Sequence, residues 1–220
     1  MTLPLRRTPA TRAIITAILI GFGYEIYTGA WTNPEQLAEL GAVIRYYIFE
    51  QGEYWRLLSA MFLHGDGTPQ GGILHLALNV IALVQIASLY ELMFGSRRFL
   101  VIYFTTGIIA SLTSALVRQG PSVGASGALF GILGAFVLSV WRSPRYRHER
   151  FARSIVNQLL FWIIANIIIG FQIPQIDNSA HLGGLAAGVL LGAILPHRPP
   201  PPPPPAQMVI DVRPREDGAL

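Results

Sequence analysis

The chain has 220 residues, of which 52% are hydrophobic and only 13% are charged, and its mean hydropathy is +0.46. Soluble proteins carry about 25% charged residues, so this composition excludes an ordinary soluble domain. The absence of cysteine excludes disulfides and thiolate metal sites. The basic pI of about 9.8 comes from arginines, and their distribution fits membrane topology and not nucleic acid binding.

Six apolar segments follow one another along the sequence, and most are long enough to cross a bilayer as α-helices. We predict helices over residues 13–30, 73–94, 99–117, 126–141, 155–171 and 180–195. The fold class is therefore an all-α membrane protein with a six-helix transmembrane bundle over residues 13–196. A basic arm, residues 1–12, precedes the bundle, and a proline-rich tail, residues 197–220, follows it.

A long connection, residues 31–72, joins the first two predicted helices. It mixes tyrosine and tryptophan with scattered charges, which is typical of the membrane interface, so we expect a long interfacial first loop. Asn33 followed by Pro34 predicts a helix start inside this loop, with Asn33 as its N-cap.

The arginines are divided unequally between the two sides of the predicted bundle. Thirteen lie on the side of the N-terminus and three on the other side. By the positive-inside rule, both termini are expected in the cytoplasm. The first segment lacks a convincing cleavage site, and the short termini favour the inner membrane of a bacterium, with the chain as a multi-pass protein of the cell membrane.

Three polar residues fall near the starts of the second, fourth and sixth predicted helices: His75, Ser126 and His181. These helices enter the bilayer from the same side, so the three residues are expected at a similar depth near the outer surface. The fourth helix spans only about 24 Å at 1.5 Å per residue, against a bilayer core of about 30 Å. Ser126 is therefore expected below the surface, on the floor of a water-filled pocket.

Other residues are spaced to support this pocket. His75 and Asn79 lie one helical turn apart, so both can donate hydrogen bonds into it. Phe130 lies one turn after Ser126 and is expected to contact the ring of His181.

Small residues favour close packing of the fourth helix against the sixth. They are Gly127 and Gly131 on the fourth helix and Gly184, Gly188 and Gly192 on the sixth.

Over residues 41–195 the chain resembles the rhomboid intramembrane serine proteases. The resemblance rests on motifs that occur in the family's order. They are Trp55-Arg56, Phe62-Leu63-His64, His75-x-x-x-Asn79, Glu91 with Gly95 and Arg98, Gly124-Ala125-Ser126-Gly127, and Ala180-His181-Leu182-Gly183-Gly184.

The resemblance implies a dyad without a third carboxylate, in which Ser126 is the nucleophile and His181 the general base. It also implies an oxyanion hole formed by the Ser126 backbone N–H and the side chains of His75 and Asn79. The substrates would be transmembrane proteins in the lipid bilayer, which enter laterally past the fifth helix and residues 172–179. Neither a cofactor nor a metal nor a nucleic acid is implied, and the oligomeric state is left open.

One departure from the family pattern concerns the segment between His64 and His75, where residues 65–70 resemble an insertion and alter the expected rim of the substrate entry.

Asp177 is expected to be exposed in the loop before the sixth helix. We interpret His64, Trp55 and Arg56 as structural, and Glu25 has no assigned role.

Two other classes of function are less favoured by the sequence, which has both the serine and the histidine and has its polar residues clustered on one side. A non-catalytic rhomboid-like protein that binds transmembrane clients would lack the serine or the histidine. A transporter or channel would show inverted repeats and polar residues through the whole bilayer.

Overall fold

The computed structural model describes residues 7–144 and 146–195, which are helical apart from loops and one isolated backbone bridge between Val43 and Ser122. The first six residues of the predicted arm and the predicted tail, residues 197–220, lie outside the described residues. The helices are α1 Pro9–Thr28, α2 Pro34–Leu40, α3 Arg45–Phe49, α4 Arg56–Ser59, α5 Pro69–Phe94, α6 Ser96–Val117, α7 Ser126–Arg142, α8 Arg150–Gln172 and α9 Asn178–Ile194.

Four of the described helices, α1, α5, α6 and α8, are long and apolar enough to cross a membrane. Two others, α7 and α9, are apolar but shorter, with 17 residues each. The shortness of α7 agrees with the prediction that the helix starting at Ser126 is short. The chain is an all-α, multi-pass membrane protein.

Helix α5 begins at Pro69, earlier than the predicted start at residue 73. Thr68 caps the helix by accepting the backbone N–H of Gly71, and Pro69 occupies the first turn, where its missing N–H is not needed. The end of the segment that resembled an insertion is therefore the first turn of α5. A π-helical turn over Leu83–Ala87 interrupts the same helix.

The connection between α1 and α5 contains the short helices α2 to α4 and is held together by Arg56. This buried guanidinium donates hydrogen bonds to the carbonyl oxygens of Ala38 and Ala42 and pairs with Glu53 at 2.6 Å. Asn33 caps α2, as predicted. Arg56 thus anchors the loop, as its sequence context predicts.

Helix α7 lies at the centre of the molecule, where 12 of its 17 residues are buried. It packs against α9 without intervening side chains. A Cβ added to Gly184 would lie 2.0 Å from the carbonyl oxygen of Gly127, and one added to Gly188 would lie 1.9 Å from that of Gly131. The spacing is the same in both pairs, so α7 and α9 run parallel and begin at the same end, as the glycine pattern predicts.

A polar cluster lies at the end of the bundle opposite to the starts of α7 and α9. Glu91 accepts hydrogen bonds from the backbone N–H groups of Ala10 (3.0 Å) and Thr11 (2.8 Å). These groups have no acceptor within α1, because they lie in its first turn. Arg98 donates hydrogen bonds to the hydroxyls of Tyr90 (2.9 Å) and Ser139 (3.0 Å). These bonds join α1, α5, α6 and α7.

Candidate active site

Ser126 is the first residue of α7, and the turn before it depends on Gly124. Gly124 has a φ of +116°, a conformation that residues with a side chain rarely adopt. A Cβ at this position would also lie 2.5 Å from Nε2 of His75. Gly124 therefore makes the turn and lets the His75 ring approach the backbone next to Ser126.

His181 lies in the first turn of α9, and its Nε2 is 3.0 Å from Oγ of Ser126. This distance is within hydrogen-bond reach. Phe130 stacks against the imidazole, with the ring centroids 4.2 Å apart and the planes 10° from parallel. The parallel packing of α7 and α9 brings the two side chains together, and Phe130 restricts the orientation of the imidazole, as the sequence predicts.

His75 and Asn79 both lie on α5, but the structure places them differently with respect to the serine. The ring of His75 is directly against Gly124. Asn79 is buried and donates a hydrogen bond from Nδ2 to the His75 carbonyl (2.9 Å), which occupies one of its two amide hydrogens. The structure therefore brings His75 next to the Ser126 turn, while the hydrogen bond that Asn79 donates lies within its own helix.

His64 is fully buried in the loop before α5, and the centroid of its ring is 5.0 Å from that of His75. Burial, and secondly the neighbouring His75, lowers the pKa of His64 to about 3. His64 is therefore neutral at physiological pH. It packs behind His75, which agrees with the structural role that the sequence suggests.

The expectation that Asp177 is exposed is wrong. Its carboxylate is partly buried and accepts hydrogen bonds from the hydroxyls of Ser114, Ser122 (2.7 Å) and Ser179 and from the backbone N–H of Ala180 (3.0 Å). Burial opposes ionisation, but the hydrogen bonds outweigh it and lower the pKa of Asp177. Asp177 is the N-cap of α9, which its position three residues before Ala180 could have indicated.

Glu25 was missed by the sequence reasoning. It lies near the end of α1 and is fully buried, and its carboxylate accepts the backbone N–H groups of His64 (2.8 Å) and Gly65 (2.6 Å). A single acid within an apolar helix was the signal that could have identified it, because an ionisable residue within a membrane helix needs a partner.

The loop between α8 and α9 is attached to the rest of the molecule through Arg118. Its guanidinium donates hydrogen bonds to the carbonyl oxygens of Pro174 (3.3 Å) and Ile176 (3.5 Å) and of Pro121, close to Ser126. Helix α8 itself is loosely held, since only five of its 23 residues are buried.

Within residues 7–144 and 146–195, no group of three or more histidine, aspartate or glutamate side chains is arranged to hold a metal ion.

Comparison with known proteins agrees with this arrangement. A sequence profile of the Rhomboid domain matches residues 51–198. Rhomboid protease GluP of Bacillus subtilis (strain 168) is 43% identical over 182 residues, which make up 83% of this chain and 34% of that protein. RHOMBOID-like protein 5 of Arabidopsis thaliana is 43% identical over 166 residues, or 74% of this chain and 50% of that protein.

A further relative, Inactive RHOMBOID-like protein 8 of Arabidopsis thaliana, is 33% identical over 168 residues, or 76% of this chain and 45% of that protein. The chain thus spans about a third to a half of the length of these relatives. The profile match covers more than half of the chain, and it includes the Ser126 turn and the first turns of α5 and α9. The chain therefore belongs to the rhomboid family.

Proposed function

We propose that the protein is an intramembrane serine endopeptidase that hydrolyses peptide bonds in or near the transmembrane segments of other membrane proteins. The observation that carries the proposal is the 3.0 Å separation between Nε2 of His181 and Oγ of Ser126. Family membership supports it, because the relatives include a protein named as a rhomboid protease.

The proton transfers of the reaction use the hydroxyl of Ser126 and the imidazole of His181. Nε2 of His181 accepts the proton of Ser126 Oγ as the oxygen attacks the carbonyl carbon of the scissile peptide. The imidazolium then gives this proton to the leaving amine, and the C–N bond breaks to leave an ester on Ser126. Water, deprotonated by the same imidazole, hydrolyses the ester and regenerates the serine.

The negative charge on the tetrahedral intermediate needs donors close to Ser126. The backbone N–H of Ser126 lies at the start of α7, where N–H groups have no partner within the helix and the helix dipole favours an anion. We assign the ring of His75 and the free amide hydrogen of Asn79 as the other donors. One such donor contributes roughly 10²–10³ to the rate in other serine proteases.

The proposed architecture is a bundle of six transmembrane helices, α1 and α5 to α9, with a long interfacial first loop over residues 31–68. We propose that a substrate enters laterally past α8 and residues 172–179. The small buried face of α8 supports this route, because few contacts must break for the helix to move. Hydrogen bonds from Arg118 would keep the following loop in place while α8 moves.

The arginine distribution supports a topology with both termini in the cytoplasm and the start of α7 towards the outer side. We further propose that residues 1–12 and 197–220 are cytoplasmic extensions of a membrane domain over residues 13–196. The bacterial inner membrane is the proposed location.

A second candidate function is the binding of transmembrane clients without cleavage. One relative with 33% identity is named as inactive, so membership of the family does not by itself establish activity. The distance between Ser126 and His181 favours the protease, because a binder needs neither the hydroxyl nor the imidazole.

A fluorophosphonate probe separates the two candidates. We expect the purified full-length chain to be labelled at Ser126 and to cleave a transmembrane reporter protein in liposomes. Ser126→Ala and His181→Ala should lose both properties, while Ser154→Ala, an exposed serine on α8, should retain both. A folded wild-type protein that neither reacts nor cleaves would contradict the proposal.

A further inference from the structure

A buried carboxylate lies behind the proposed oxyanion hole and takes no part in the reaction described above. Glu25 is fully buried in the last turns of α1, where the helix dipole disfavours a negative charge. Its two carboxylate oxygens accept one backbone N–H each, from His64 at 2.8 Å and from Gly65 at 2.6 Å. A buried charge of this kind is tolerated only when it is hydrogen-bonded, so the position of the 64–65 backbone and that of the carboxylate depend on each other.

The close approach of the carboxylate to this backbone requires a glycine. A Cβ on Gly65 would lie 2.9 Å from Oε2 of Glu25 and 2.8 Å from Cα of Trp31. No side chain therefore fits between the end of α1 and the loop.

The ring of His64, which extends from this backbone, contacts the ring of His75 in the proposed site. The centroids of the His64 and His75 rings are 5.0 Å apart. His75 also lies against Gly124, two residues before Ser126. His75 is thus in contact with both His64 and the turn that precedes the serine.

We propose that Glu25 is a positioning residue for the oxyanion hole: it holds the 64–65 backbone so that His64 keeps His75 against the Ser126 turn. The inference rests on the proposed function and extends it to a residue that touches neither the substrate nor Ser126. Without the carboxylate, two buried N–H groups lose their acceptor and the loop shifts. His75 then gains a second orientation in which its ring does not reach the oxyanion.

The carboxylate is better suited to this task than the amide of the same shape. Both oxygens of Glu25 accept, whereas glutamine has one acceptor and would place an NH₂ donor against a backbone N–H. Glu25→Gln should therefore disturb the loop with little change in volume. Since a misplacement of about 1 Å can cost on the order of 10²-fold in rate, we expect kcat to fall by about tenfold, with KM unchanged.

The test measures kcat and KM for cleavage of a transmembrane reporter, and the rate of fluorophosphonate labelling, in a double-mutant cycle with His75→Ala. If Glu25 acts through His75, Glu25→Gln lowers kcat about tenfold in the wild type but less than twofold in the His75→Ala background. An equal loss in both backgrounds, or no loss in either, would overturn the inference.

Glu91 provides a matched control, because it is also buried and also accepts two backbone N–H groups, at the other end of the bundle. Glu91→Gln should lower the melting temperature but leave kcat per folded molecule within about twofold, since it contacts no part of the proposed site. An equal loss of kcat in Glu91→Gln and Glu25→Gln would show that any buried carboxylate matters in the same way and would refute the positioning role.

A second variant keeps the test decisive if Glu25→Gln does not fold. Gly65→Ala leaves the carboxylate in place but separates it from the loop, and it should lower kcat in the same way and with the same dependence on His75. A wild type that cleaves, with both variants equally active, refutes this inference alone. A folded wild type that does not cleave refutes the proposed function.

Discussion

The two ends of the helix bundle contain similar polar residues but use their hydrogen bonds differently. At one end, Glu91 accepts bonds from Ala10, Thr11 and Ser96 and so caps α1 and joins it to α6. At the other end, buried atoms of several side chains have no hydrogen-bond partner within the described residues. They are both ring nitrogens of His64, Oδ1 of Asn79, Oδ1 of Asn178 and Nδ1 of His181.

This difference separates a cluster whose polar groups are paired from one with unused hydrogen-bonding capacity. Most buried polar atoms in proteins are hydrogen-bonded, and an exception needs an explanation. Groups that are already paired stabilise the fold, while unpaired groups keep hydrogen-bonding capacity for another partner. Among the described residues, the unpaired atoms of Asn79 and His181 belong to the proposed site and those of His64 lie next to it, while the hydroxyl of Tyr103 on α6 is also unpaired.

The largest effect on kcat is expected for Ser126→Ala, which is compared with a serine-to-alanine exchange at the other end of the bundle. Ser126→Ala should lower kcat by at least about 10⁴-fold and leave the melting temperature nearly unchanged. Ser139→Ala, at the other end, removes an acceptor of Arg98 and should cost about 1–3 kcal/mol of stability without a comparable loss of kcat. Cleavage kinetics and thermal unfolding in detergent test both, and a Ser139→Ala variant that is stable but inactive would break the comparison.

The next effect concerns the residues assigned to the oxyanion. His75→Ala should lower kcat by about 10²–10³-fold while His181 and Ser126 still form their pair. Tyr90→Phe, which removes a hydroxyl that accepts from Arg98 at the opposite end, should affect stability instead. The assignment of His75 fails if its alanine variant cleaves at the wild-type rate.

A smaller loss is expected when α9 is moved relative to α7. A methyl group on Gly188 would lie 1.9 Å from the Gly131 carbonyl oxygen, so Gly188→Ala must push the helices apart. A shift of about 1 Å between Ser126 and His181 should lower kcat by roughly 10²-fold. Gly23→Ala is the control, because nothing lies within 4 Å of the added carbon. Equal activity of the two variants would show that the rate does not depend on the close packing of α7 against α9.

The smallest effect is a pH dependence of stability that comes from Asp177. Its pKa is lowered in the folded state from an ordinary value of 3.8, so its contribution is fully present above that value. The contribution is lost as the pH falls through the lower folded pKa. The difference in melting temperature between wild type and Asp177→Asn should therefore shrink as the pH falls below about 4. A difference that stays constant from pH 3 to pH 7 would contradict this assignment.

Much of the site follows from local patterns in the sequence. The order of the apolar segments places the starts of α5, α7 and α9 at one end, and glycine spacing predicts the close contact of α7 with α9. The spacing from Ser126 to Phe130 also identifies the ring that stacks on His181. These are features with a helical period, which a single sequence records directly.

The roles of Asp177 and Glu25 could not be predicted in the same way. Two of the three serines that bind Asp177 come from α6 and from the turn before α7. The amides that bind Glu25 come from the loop 39 and 40 residues later in the chain. Hydrogen bonds between segments so far apart leave no periodic trace in the sequence. They become visible only when the fold brings the segments together.

The backbone contact between α7 and α9 also determines which parts of the molecule can move. Where a carbonyl oxygen rests on a glycine, there is no rotamer to adjust, so the two helices must behave as one rigid body. Under the proposed function, a path for a substrate would open at α8, which has only five buried residues. The nucleophile and its base would keep their alignment throughout that opening, so a substrate could dock before any reacting atom changes place.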